Sequence, residues 1–134
     1  MIYDTYKKSL NWVNFQPKSI YEKVLGREHP SKAIYLNNLA GLYDAKGDYD
    51  SAEPLYKRAL EIYEKVLGKE HPDTATSLNN LALLYQAKGD YDSAEPLFKR
   101  ALEIFEKRLG SNNPNTVIIR NNLNYLLAQK KSNF

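Results

Sequence analysis

Three near-copies of one decapeptide recur along the chain. "YEKVLGREHP" starts at Tyr21, "YEKVLGKEHP" at Tyr63 and "FEKRLGSNNP" at Phe105. The steps 63 − 21 and 105 − 63 are both 42. Aligned without a gap, residues 31–72 and 73–114 are identical at 30 of 42 positions. A chain with such a period folds as a stack of one supersecondary unit, because no single unit can bury its apolar face alone.

Each period holds two helical patterns. In the first, Leu36, Leu39, Ala40 and Tyr43 fall at i, i+3, i+4 and i+7 and make one stripe. Gly47 suits the left-handed position after its end. In the second, Ala52, Tyr56, Ala59 and Tyr63 make another stripe, widened by Leu55, Leu60, Ile62 and Leu67. Asp50 and Glu53 stand at capping-box spacing before it. Pro54 is expected in its first turn, where a missing N–H costs little. Gly68 ends it, and "KEHPD" leads into the next period. No stretch alternates with period two, so strands find no support. The unit is helix A, the tight turn "KGDYD", helix B and a loop. Ala40, Ala52 and Ala59 let helices approach closely, and Tyr43, Tyr49 and Tyr56 fill the gaps.

Composition narrows the functional classes. The 134 residues carry a formal charge of +3, with no basic stripe of the kind nucleic acid requires. There is no cysteine, so no disulfide framework and no thiolate chemistry. No apolar run reaches the roughly 18 residues of a membrane span, and "MIYDTYKKSLNWVNF" lacks the apolar core of a secretory signal. The expectation is a soluble, cytoplasmic protein with no nucleic-acid or membrane partner.

"LNNLALLYQAKGDYDSAEPLFKRAL" resembles the tetratricopeptide repeat (TPR). Leu78, Leu81, Ala82, Tyr85, Gly89, Tyr91, Ala94, Phe98 and Ala101 stand at its signature positions. The usual repeat has 34 residues; the extra 8 here are about two turns of helix at 3.6 residues per turn. The longer unit is similar to kinesin light chain repeats and to bacterial proteins with the same period, over residues 20–131. The resemblance implies an all-α, right-handed superhelical TPR solenoid of antiparallel helix hairpins. It implies no catalysis and no cofactor, and a concave groove, lined by A helices, that takes a peptide or partner helix.

That family's groove positions carry over residue by residue. The first repeat offers Ile34, Asn37, Asn38, Gly41, Asp44 and Ala45; the second Thr76, Asn79, Asn80, Leu83, Gln86 and Ala87. The last A helix offers Ile118, Asn121, Asn122, Tyr125, Ala128 and Gln129. Paired asparagines recur in "LNNLA", "LNNLA" and "RNNLN", although Asn is a poor helix former. The resemblance implies that Asn38, Asn80 and Asn122 meet the main chain of a bound peptide, since an amide both donates and accepts. The competing reading is that the amides bond one another and fix how hairpins stack. The groove positions contain no cation, and Asp44 adds an anion, so a neutral, partly apolar or weakly basic segment fits better than an acidic one. Leu83 and Tyr125 are candidate apolar pockets.

Other residues read as structural. His29 and His71 occupy repeated "EHP" loops beside Glu28 and Glu70; a loop cap copied with the repeat fits better than a metal site, as no third ligand stands at a zinc spacing. The third copy, "NNP", lacks the histidine. Lys57–Arg58 and Lys99–Arg100 read as a solvated face, with Glu61 and Glu103 as ion-pair partners. No phosphate loop or nucleophile elbow is present.

The expected organisation is an N-terminal capping segment over residues 1–16 and a TPR array over 17–134. The array comprises an orphan helix B at 17–25, repeats at 31–72 and 73–114, and a final helix A at 115–131. Tyr3, Tyr6, Leu10 and Val13 give the cap its amphipathic stripe, near Trp12. In the last helix Asn124 replaces a small apolar residue, which suits contact with water. Val117, Ile119, Leu126 and Leu127 are expected to leave apolar surface uncovered. Unpaired terminal helices invite self-association, closed as a dimer or open as a fibre, which makes a homo-oligomer the alternative to a peptide-binding scaffold.

Overall fold

A computed structural model describes residues 29–132. The expected N-terminal cap and orphan helix B lie outside the described residues. Within them run five helices: α1 (Pro30–Ala45), α2 (Tyr49–Val66), α3 (Pro72–Ala87), α4 (Tyr91–Leu109) and α5 (Pro114–Ser132). No strand occurs among the described residues. α1 packs against α2 and α3 against α4 as hairpins; α2 meets α3 and α4 meets α5, which stacks the hairpins. The result is an all-α helical repeat solenoid with the A-type helices α1, α3 and α5 in one layer and α2 and α4 in the other.

The hairpin turn is two interlocked caps. Gly47 adopts φ +78°, open to glycine at little steric cost. The Gly47 N–H then donates to Asp44 O at 2.9 Å and the Asp48 N–H to Tyr43 O at 2.9 Å, a Schellman closure of α1. The Asp48 side chain meanwhile caps α2, accepting from Ser51 N at 3.2 Å. Gly89 and Asp90 repeat the device between α3 and α4. The sequence pattern had placed Asp50 and Glu53 as the cap; the cap is Asp48, two residues earlier. Pro54 is consequently the sixth residue of α2, past the first turn. It is exposed, so the backbone carbonyl it fails to serve can turn to water.

The interhelix loops end on a copied cap as well. His29 Nδ1 accepts from Ser31 N, and His71 Nδ1 from Asp73 N, both at 3.0 Å. Each sits before a proline at the first helical position, where no N–H needs a partner. Acceptance at Nδ1 requires the neutral imidazole. The third copy loses the histidine but not the cap: Asn113 Oδ1 accepts from Asn115 N at 2.9 Å.

Alanine makes close approach possible. Ala40, Ala52, Ala59, Ala82, Ala94 and Ala101 are all fully buried. Around them pack Tyr56, Tyr63, Phe98 and Phe105, each under 10% exposed; burying one such ring stabilises by about 1.5–3 kcal/mol. The C-terminal helix is better covered than its sequence suggests. Ile119 joins the core with Leu78 and Leu81, and Leu126 packs with Ala94 and Phe98. Only Val117 and Leu127, of the four residues expected to be bare, stay exposed, beside the exposed Asn124.

Candidate functional site: the face of the A helices

A 42-residue period places equivalent side chains side by side on α1, α3 and α5. One row is Ile34, Thr76 and Ile118, all exposed. The next is Asn38, Asn80 and Asn122, then Gly41, Leu83 and Tyr125. Leu83 and Tyr125 are large apolar groups left in solvent, at 39% and 61% exposure. No helix N-terminus or charged cluster accompanies them, so this face is chemically neutral apart from Asp44.

Its amides are not equivalent. Asn122 Nδ2 donates to Asn79 Oδ1 at 3.1 Å, joining α5 to α3. Gln86 Nε2 donates to Gln129 Oε1 at 2.6 Å across the same pair of helices. Gln129 Nε2 in turn reaches the Tyr125 hydroxyl at 3.4 Å. Between α1 and α3 no such bond forms among the described residues. Asn38 and Asn80 make no side-chain hydrogen bond to a described residue. The Asn37 amide lies beside the Tyr63 hydroxyl, yet its Oδ1 is buried without a partner. Burial first, then the charge of Asp73, raises the Tyr63 pKa, and Asn37 opposes the rise. Asp44 Oδ2 accepts from the Tyr56 hydroxyl at 3.4 Å; burial and this carboxylate push the Tyr56 pKa up to about 12. Asn121 is exposed, and Thr76 Oγ1 turns back to Pro72 O at 3.2 Å.

The sequence pattern therefore brings Asn79 to Asn122 and Gln86 to Gln129, and leaves Asn38, Asn80 and Asn121 unbonded to one another. It also overlooks how the hairpins are tied. Lys88, just beyond α3, reaches Glu53 at 2.9 Å and Asp50 at 3.5 Å on α2. Lys130 does the same one period later, to Asp92 at 2.7 Å and Glu95 at 3.2 Å. Glu53 and Glu95 also hold Lys57 and Lys99, and the hydrogen bonds from these lysines depress both carboxyl pKa values. Arg58 pairs with Glu61 as expected, but Arg100 crosses to Glu64 of α2 at 3.2 Å instead of meeting Glu103. Beneath the layer Thr74 Oγ1 donates to Gly68 O at 2.7 Å, tying α3 to the preceding loop. The signal for the lysine ties was in the sequence as Lys88 and Lys130, one period apart and each 35 residues from its glutamate.

Among the described residues no three His, Cys, Asp or Glu side chains gather as a metal site. No helix of the described chain is long and apolar enough to cross a membrane.

The tetratricopeptide repeat model matches residues 18–65, 45–107 and 73–131 in overlapping stretches. The chain belongs to the tetratricopeptide repeat family. Solved structures agree. BtubC (BKLC) from P. vanneervenii is 29% identical with a TM-score of 0.71, over 84% of this chain and 47% of that one. The nearly identical TPR-like repeats of a Podosopora anserina putative kinesin light chain are 32% identical with a TM-score of 0.72, over 83% of this chain and 53% of that one. This chain thus spans about half the length of each. No curated protein matches it. TPR proteins of this kinesin-light-chain-like type are, in general, protein-interaction scaffolds rather than catalysts.

Proposed function

We propose that this chain is a non-catalytic scaffold that holds an extended peptide, or one helix of a partner protein, along the face of α1, α3 and α5. The observation that carries the reading is that the exposed Ile34 and Ile118 on one side, and Leu83 and Tyr125 on the other, flank the row of amides Asn38, Asn80 and Asn122 on adjacent helices. Apolar side chains of a ligand gain from the flanking residues, and its main chain from the amides. The burial of Ile119 and Leu126 counts against the alternative of self-assembly, since it shrinks the bare surface of α5. Affinity capture followed by mass spectrometry, comparing the native chain with Asn38→Ala/Asn80→Ala, tests the proposal. A protein kept by the native chain and lost by the double variant, at an unchanged melting midpoint, supports it. A partner retained equally by both moves recognition off this face. A mass above the monomer on dilution through a sizing column favours self-assembly instead.

A further inference from the structure

Resting on that reading, the wiring of the amides divides the face into two furrows of unlike character. Between α3 and α5 the polar groups satisfy one another: Gln86 with Gln129 at 2.6 Å and Asn79 with Asn122 at 3.1 Å. A ligand there must break two existing bonds to make its own, which leaves little net gain. Between α1 and α3 no such bond forms among the described residues: Asn37 and Asp44 meet tyrosines of their own hairpin, and Asn38 and Asn80 bond to no described residue. The walls are Ile34, 53% exposed, and Leu83, 39% exposed. At one end stands Asp44, the single charged residue among the face positions; its Oδ2 accepts from the Tyr56 hydroxyl at 3.4 Å, and it makes no ion pair with a described residue.

We propose that the furrow between α1 and α3 is the ligand subsite, and that it takes an extended, non-acidic peptide segment with one basic side chain directed at Asp44. Main-chain N–H and C=O groups of the segment meet Asn38 and Asn80. Its apolar side chains lie against Ile34 and Leu83. Charge sets the direction of selectivity: an acidic segment brings a second anion toward Asp44 with no cation on the face to offset it.

Selection of a random peptide library displayed on phage against the full chain tests this. The enriched peptides are then synthesised and titrated into 15N-labelled protein. We expect enriched sequences with a Lys or Arg and no net negative charge, and shifts of the Asn38 and Asn80 side-chain amides. Replacing the basic residue of the peptide by norleucine, or Asp44→Asn in the protein, should weaken binding at least about tenfold, as for a lost charge-assisted bond. Asn80→Ala should weaken it too, while Asn122→Ala should not. The norleucine peptide and the amide shifts carry the test if a variant fails to fold. Acidic enriched peptides, or binding lost on Asn121→Ala and Tyr125→Ala alone, overturn the subsite and leave the wider face in place. Peptides whose shifts avoid all three A helices, or a library that yields no binder, overturn both.

Discussion

The α1–α2 and α3–α4 hairpins share most of their sequence, yet they send their polar groups in opposite directions. In the first, the tyrosines of α2 supply hydroxyls: Tyr56 to Asp44, and Tyr63 beside Asn37. Asp44 and Asn37 thus find partners within their own hairpin. In the second, Phe98 and Phe105 stand at those two positions and offer no hydroxyl. Gln86 replaces Asp44, and it and Asn79 bond forward to Gln129 and Asn122 of α5. Two Tyr-to-Phe differences, at buried sites on the B helices, thus accompany a change in what the opposite layer presents to solvent. In a repeat protein, what one helical layer presents is tied in part to residues of the other layer.

The largest effect that probes this contrast is on packing. Phe98 is fully buried and Tyr56 nearly so. Phe98→Ala should cost about 3–5 kcal/mol, read by denaturant unfolding with the slope unchanged. Ala82→Leu, at a fully buried position beside Phe98, should cost about 1–3 kcal/mol through overpacking. Neutral results at either site would mean that the second hairpin is not the tight unit its burial describes.

Alkaline pH separates the hairpins next. The Tyr56 pKa is raised from 10.0 to about 12, chiefly by burial and then by Asp44. Its hydroxyl stays protonated in the fold at pH values where the unfolded chain has released the proton. Its contribution is therefore complete below about pH 10 and is lost as pH rises through about 12. Phe98 has no such proton. Tyr56→Phe should accordingly be less destabilised than the native chain over that window, with the two curves parallel below it. Curves that stay parallel throughout would show that the hydroxyl is not held as described.

Much of this architecture was legible in the chain itself. The period is read directly from the repeated decapeptide, and the glycines after α1 and α3, the histidine caps and the buried alanines follow from local spacing, because each depends on residues within a few positions. The cap of α2 was misplaced because Asp48 and Asp50 are both acceptable caps locally. The choice falls to Asp48, whose N–H must also close α1. The face residues were legible as positions but not as bonds. Nothing local says that Asn79 meets Asn122, or that Arg100 prefers Glu64 to Glu103, since those pairs lie 43 and 36 residues apart. The covering of Ile119 and Leu126 was missed for the same reason: the helix that buries them is the preceding α4, not a following one.

The amide pairs allow a direct measure of the contrast. A double-mutant cycle on Asn79→Ala and Asn122→Ala should return a coupling of about 0.5–1.5 kcal/mol, the usual net worth of one hydrogen bond. The same cycle on Asn37→Ala and Asn80→Ala should return close to zero, because no bond joins them among the described residues. Equal couplings would erase the difference between the two furrows.

The smallest effect concerns what the two hairpins have in common. Lys88 on Glu53 and Lys130 on Glu95 are one tie used twice, and each glutamate also holds a lysine of its own helix. These hydrogen bonds hold both carboxyls below the ordinary 4.5. The folded chain therefore binds fewer protons there than the unfolded chain. Stability from the ties is fully present above about pH 4.5 and falls as pH drops through the depressed values. The groups are solvent-accessible, so the effect is small and screened by salt. Glu53→Gln and Glu95→Gln should each lower the melting midpoint slightly at neutral pH and low salt, by similar amounts, and the loss should shrink in molar salt and toward pH 3. Similar losses would fit a tie copied with the repeat. A loss confined to Glu95→Gln would mean that the forward-bonded hairpin leans on its ion pair more than the tyrosine-anchored one does.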